Sequence, residues 1–257
     1  MKNKKKTKTK KVKTEVIKRK LLFINAHPDD DCTVAGTIIS LVKNGYFVLE
    51  YVCTDGARAQ AVTGEDKNQI TQNRAQEIET FSTLAGTEKP KVFPLGKKML
   101  SITDEIVFDL VSCIRSFRPD IVILLGKNDY HFEHRLSHQI GLLALENAFR
   151  KTLPQLGERI TDAIILEADG LNLMHNPLIS FDISSVYQEK MQVLKKAYGK
   201  RLGKDLLRFE SGVTQMRGAR IGVEHAEVFD LLNPEWYKLT KKSAKTLAEF
   251  VALGSKK

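Results

Sequence analysis

Apolar positions along the chain come as short continuous runs that alternate with longer stretches at helical spacing. Residues 21–26, LLFINA, form the first run, with the unbroken apolar character of a strand buried on both faces. A helical stretch over residues 33–43 stops at Asn44-Gly45, and residues 46–54, YFVLEYVCT, read as a second strand rich in aromatic and β-branched residues. The alternation continues with a helix over 69–84 closing on Ala85-Gly86, a short strand over 91–95, a helix over 102–117 and the strand IVILL at 121–125. A helix over 134–150, a strand over 162–168, an extended segment at 178–183 and helices over 187–198 and 243–253 complete the pattern.

Strands separated by helices require right-handed parallel crossovers, so the pattern predicts an α/β fold: a doubly wound, mostly parallel, Rossmann-like sheet with helices on both faces. In such sheets ligands bind at the carboxyl ends of the strands. The 257 residues, 42% hydrophobic, suit one large core. Residues 21–257 are therefore expected to form a single domain, with 170–232 as a candidate substrate-facing lobe.

Charge changes the picture only at one end. The formal net charge of +10 suggests a polyanion binder, yet residues 1–20 carry 11 of the Lys and Arg against Glu15 alone, which leaves 30 basic and 30 acidic residues in the body. The basic segment has little to bury and is expected to be a disordered tail, with weak adhesion to RNA or anionic lipid as the sharper alternative and no specific nucleic-acid partner. No run approaches the roughly 18 apolar residues of a membrane span, and no secretory signal follows the basic start. Cys32, Cys53 and Cys113 form no C-x-x-C pair and no even set, which fits reduced thiols in the cytoplasm. A homo-oligomer is left open.

The chemically loaded residues fall just after the first, second and fourth strands. AHPDDD, residues 26–31, places a histidine and three carboxylates in one turn. Adjacent acids repel, and an Asp N-cap explains one of them but not the His-Pro-Asp-Asp order. DYHFEHRLSH, residues 129–138, holds three of the six histidines at the same edge of the sheet. Two nitrogens and a carboxylate around an open position make a common catalytic zinc arrangement, and His27, an Asp of the first cluster and a His of the second could supply it. No G-x-S-x-G elbow, Walker loop or dinucleotide glycine fingerprint is present, which removes serine hydrolases, nucleotide hydrolases and typical NAD enzymes.

At these residues the sequence resembles the PIG-L/LmbE group of metal-dependent N-deacetylases. Its A-H-P-D-D-E turn is matched by AHPDDD and its H-P-D-H turn by His131-Phe132-Glu133-His134. Thr54 to Arg58, Arg74 to Glu77 and RGARIGVEHAEVF at 217–229 extend the resemblance, the last toward deacetylases of low-molecular-weight thiol biosynthesis. The resemblance implies Zn2+, or another divalent ion such as Fe2+, held by His27, Asp30 and His134. It implies Asp29 as the general base that activates water and returns the proton to the leaving amine. His131 would be protonated and stabilise the oxyanion, with Glu133 holding its ring. The implied activity is removal of an N-acetyl group from an amino sugar or GlcNAc-type glycoside.

Departures from the family pattern limit the carry-over. Phe132 replaces Pro, Glu133 replaces Asp and Asp31 replaces Glu, Gly96-Lys97-Lys98 stands where a sugar-binding Asp is common, and His225 takes the place of a Tyr. Arg74 is a candidate substrate clamp, evenly weighed against an ion pair with Glu77 or Glu79. Arg58 and Arg217, with Arg220, are candidate contacts to an acidic aglycone, against ordinary salt bridges. His138, four residues after His134, is a lesser candidate ligand. Competing functions are deacylation of a non-sugar small-molecule amide and, further off, a non-catalytic binding module.

Overall fold

A computed structural model describes residues 18–59 and 66–255. Seven strands form one sheet in the order β3-β2-β1-β4-β5-β7-β6. They are β1 (Lys20–Asn25), β2 (Phe47–Val52), β3 (Lys91–Val92), β4 (Ile121–Leu124), β5 (Ile164–Ala168), β6 (Ile179–Asp182) and β7 (Ala226–Leu232). The first five run parallel, whereas β7 is antiparallel to both β5 and β6. The expected fold class is therefore present, with a mixed edge. The tail expected over residues 1–20 lies outside the described residues except for its last three, and Lys20 already belongs to β1.

The helices are α1 (Ala35–Lys43), α2 (Lys67–Ala85), α3 (Asp104–Phe117), α4 (Phe132–Phe149), α5 (Tyr187–Ala219) and α6 (Lys241–Gly254). Alternate residues of β1 divide the core. Leu21 and Phe23 pack with α1, α5 and Phe250 of α6 on one face, and Leu22 and Ile24 pack with α3 and α4 on the other. Both faces being covered is the reason β1 and β4 read as unbroken apolar runs.

Two elements depart from the sequence pattern. Helix α5 continues well past residue 198, broken only at Gly203, whose φ of 63° and ψ of −158° lie in a region essentially reserved for glycine. Strand β7 falls within the segment expected as part of a lobe, so β6 and β7 complete the sheet. Glu227 of β7 then accepts the amide N–H groups of Gly36 and Thr37 at 2.8 and 2.7 Å. It supplies the negative charge that the N-terminus of α1 favours. A Cβ on Gly36 would sit 2.9 Å from that carboxylate, so only glycine admits this cap.

Candidate metal centre and active site

The chain leaves β1 in one direction and reaches β4 beside it from the other, so the β1/β4 crevice is the topological switch point of the sheet. A cavity of about 500 Å3 opens there. Its wall includes His27, Asp29, Asp30, Arg58, Arg74, His131, Glu133 and His134, together with Arg201 and Leu206 from α5.

The AHPDDD turn is folded around Asp30. One carboxylate oxygen accepts the backbone N–H groups of Ala26 and His27 at 3.0 and 2.7 Å. The same oxygen lies 3.5 Å from His27 Nδ1, and the other lies 3.1 Å from His134 Nε2. His27, His131 and His134 each bring a ring nitrogen within 4.8 Å of the others, a group able to hold a metal ion. Asp129, its side chain fully buried, accepts the N–H groups of His131 and Leu171 at 2.8 and 2.7 Å. Its carboxylate also lies 3.2 Å from His134 Nδ1, close enough for an ion pair though not aligned as a hydrogen bond.

The electrostatics follow from this packing. Burial opposes charge on His27, but Asp30, with Glu133 and Asp29, raises it to about 9. His134 is raised to about 10, again against burial, by Asp30 and Asp129. Asp30, despite its burial, is held well below the usual carboxylate range by these two imidazoles. The carboxylates around both imidazoles thus favour positive charge at this point, which a divalent cation would supply. The donor set fits such an ion: imidazole nitrogen and carboxylate oxygen suit zinc or iron.

Two expectations about the second cluster are corrected. Glu133 does not hold His131. Its Oε2 lies 2.8 Å from His27 Nε2, and its Oε1 accepts from Arg58 at 3.0 Å and from the Leu100 N–H at 3.4 Å. The extra methylene carries the carboxylate past His131, whose buried Nδ1 has no hydrogen-bond partner. His131 is not favoured as a cation here either: burial and the neighbouring His27 and His134 lower its pKa, outweighing Glu133 and Asp30.

Asp29 sits in a closed ring of four charges. Arg74 Nη2 donates to one of its oxygens and Arg201 Nη2 to the other, both at 2.7 Å. Arg74 Nη1 and Arg201 Nε then converge on Glu77 at 2.9 and 2.8 Å. Arg74 thus makes the ion pair weighed against its role as a clamp, while also lining the cavity. Gly56, with φ of 69°, lets the loop after β2 lie against it, since a Cβ there would be 2.6 Å from Arg74 Nε. Nothing in the stretch YGKRLGK marks Arg201 as a site residue.

Arg217 does not reach the cavity. Its guanidinium is buried in a two-pronged pair with Asp169, at 2.9 and 3.0 Å, and also donates to the Met174 carbonyl. Arg220 is exposed, with a 3.4 Å contact to the His175 carbonyl. His138 is a core residue whose Nδ1 faces the Leu125 carbonyl at 2.7 Å. His225 stacks on Tyr187 with ring centroids 3.4 Å apart, away from the cavity. Asp31 is buried beneath the turn, bonded by the Tyr198 hydroxyl, and burial with nearby Glu50 pushes its pKa well up.

Comparison with known proteins places this architecture. Residues 22–145 match the family profile described as PIG-L: GlcNAc-PI de-N-acetylase. The diacetylchitobiose deacetylase of Thermococcus kodakarensis is 27% identical over 186 residues, 69% of this chain and 68% of that protein. The mycothiol S-conjugate amidase of Streptomyces coelicolor is 28% identical over 153 residues, 50% of this chain and 52% of that protein. A 1D-myo-inositol 2-acetamido-2-deoxy-alpha-D-glucopyranoside deacetylase of Rhodococcus erythropolis is 26% identical over 54% of this chain and 57% of its own length. The chain thus spans little more than half of the last two relatives. The chain belongs to the PIG-L/LmbE family of N-deacetylases.

Among solved structures, the N,N'-diacetylchitobiose deacetylase of Pyrococcus horikoshii superposes with a TM-score of 0.72 at 23% identity, covering 87% of each chain. The 4-carboxy-2-hydroxymuconate hydratase of Pseudomonas putida superposes with a TM-score of 0.75 at 18% identity, covering 86% of this chain and 99% of its own. Both share the fold. No helix among the described residues is long and apolar enough to cross a membrane.

Proposed function

We propose that this chain is a metal-dependent hydrolase that removes the acetyl group from the nitrogen of an amino sugar or GlcNAc-type glycoside. The observation that carries the reading is the packing of His27 and His134 against the two oxygens of Asp30 at the switch-point cavity, with Asp29 and His131 on the same wall. His27, Asp30 and His134 would hold Zn2+, or Fe2+, which suits the same donors. The bound cation supplies Lewis acidity toward the acetyl carbonyl and toward water.

The side chains divide the remaining work. Asp29 takes a proton from water and returns it to the amide nitrogen, because an amine leaves only once protonated. Arg74 and Arg201 hold the two oxygens of Asp29, so the base meets its proton in a fixed orientation. His131, as a neutral imidazole, turns its ring N–H toward the oxygen on which negative charge develops and stabilises it by a hydrogen bond. Arg58 and Lys98 on the cavity wall give the mouth positive character and favour substrates with acidic or richly hydroxylated groups.

Acetate and free amine released from a panel of N-acetylglucosamine glycosides test the reading, with the chain stripped of metal and then loaded with Zn2+ or Fe2+. Turnover by metal-loaded wild type, lost on chelation and absent in Asp29→Ala and His134→Ala, is the expected result. A panel of non-sugar acetamides in the same assay separates the sugar assignment from the bond assignment. Turnover that survives chelation sinks the metal reading.

A further inference from the structure

The two histidines that face Asp30 do so through different nitrogens. His27 presents Nδ1, at 3.5 Å, and His134 presents Nε2, at 3.1 Å. A metal takes the lone pair of a neutral imidazole, and the proton must then sit on the other ring nitrogen. For His27 that other nitrogen is Nε2, which lies 2.8 Å from Glu133 Oε2. The carboxylate is itself fixed: its side chain is 8% exposed, and Arg58 and the Leu100 N–H hold its second oxygen. Nothing comparable ties Glu133 to His131, whose buried Nδ1 is unpartnered.

From this geometry we infer that Glu133 is a positioning residue for His27 rather than for His131. By accepting the Nε2 proton it fixes the tautomer that offers Nδ1 to the cation, and Arg58 locks it in that place. The inference rests on the metal reading above. Chain length is part of the device, since an aspartate at 133 would end about 1.5 Å short of the imidazole. Carboxylates that accept from a ligating histidine raise its basicity, and losing one costs about 10–100-fold in metal affinity.

The experiment is a Zn2+ titration of the metal-stripped full chain against a chromophoric chelator, for wild type, Glu133→Gln, Glu133→Asp and Arg58→Ala. Long-range 15N–1H spectra of the histidine-labelled, zinc-loaded protein read the tautomer of His27. Both Glu133 variants should bind zinc about 10–100-fold more weakly and Arg58→Ala less so, with wild-type His27 protonated at Nε2. If Glu133→Gln does not fold, Glu133→Asp and Arg58→Ala carry the same comparison. Wild-type zinc affinity in both Glu133 variants, or a wild-type spectrum with Nε2 on the metal, overturns the inference and leaves the metal reading intact. A wild type that binds no zinc removes both.

Discussion

Replacing Arg201 with alanine opens the four-charge ring at the one member that comes from α5. The substitution deletes a 2.7 Å bond to Asp29 and two bonds to Glu77, at 3.1 and 2.8 Å, and turns a neutral cluster into one with a net negative charge. Asp29 and Glu77 are 16% and 13% exposed, so water relieves only part of the loss, while Arg74 stays bound to both. Charge-assisted hydrogen bonds contribute about 1.5–3 kcal/mol each when fully buried, and with Arg74 and water compensating we expect a net cost of about 1–3 kcal/mol. For a domain of this size that lowers Tm by roughly 3–10 °C. Activity should fall further than stability implies. On the proposed role of Asp29, a positioned base contributes about 10²–10⁴-fold and a misplacement of about 1 Å costs about 10²-fold, so kcat should drop about 10–100-fold with KM nearly unchanged. Arg201→Lys separates charge from geometry. One ammonium cannot span Asp29 and Glu77 as a guanidinium does, so Tm should recover more than kcat. Thermal unfolding and acetate release at saturating substrate are the two measurements. A kcat within twofold of wild type in Arg201→Ala would show that the ring does not hold the base.

Arg217→Ala breaks a buried ion pair with Asp169, whose side chains are 2% and 8% exposed, at a cost of about 3–5 kcal/mol. Below the lowered Tm its kcat/KM should match wild type, and a tenfold loss of kcat/KM without a loss of Tm would return Arg217 to the substrate site. Glu50 is held protonated in the fold: burial, with Asp30 nearby, pushes it from 4.5 up to about 8 against the Asn25 hydrogen bond. The unfolded chain ionises first, so this group's contribution is intact below about pH 4.5 and declines as pH rises toward about 8. Glu50→Gln should flatten that decline and stabilise the protein at pH 8 by on the order of 4 kcal/mol, read as Tm against pH. A steeper decline in the variant would reverse the sign of this account.

What the sequence discloses is what it concentrates. Residues 26–31 and 129–138 crowd histidines and carboxylates into two turns, and the strand pattern places both turns at one sheet edge, so the centre of the site is legible. Arg201 is not, because one more cation in the lysine-rich run at 195–204 carries no local mark, and its partners Asp29 and Glu77 lie 172 and 124 residues away. Arg217 misleads for the matching reason: Asp169, which neutralises it, is 48 residues distant, and charge in a motif says nothing of the pair that buries it. Glu133 shows a finer limit. Its substitution is visible, but only the fold shows that one methylene moves a carboxylate from one imidazole to another. Strand β7 escapes the pattern because acids at Glu227 and Asp230 interrupt its apolar run, the first of them to cap α1.

The fold alone cannot choose the reaction, since the same sheet carries a deacetylase in one structural neighbour and a hydratase in another. Water activated by a base serves both reactions. Amide cleavage differs in needing a proton delivered to nitrogen, so the deciding question is which acid groups in the cavity are free to carry one. Glu133 is committed to His27 and Arg58, and Asp30 to the two imidazoles and two backbone amides. Asp129 is engaged by backbone amides and His134 outside the cavity wall. Among the carboxylates and imidazoles of the cavity wall, Asp29 and His131 remain. Asp29 bears only donors that leave each oxygen a further lone pair, and the His131 ring lines the cavity with no carboxylate holding its buried Nδ1. On the deacetylase reading these two divide the proton and the oxyanion between them, so Asp29→Asn and His131→Phe should each abolish acetate release while the apo fold keeps its cavity.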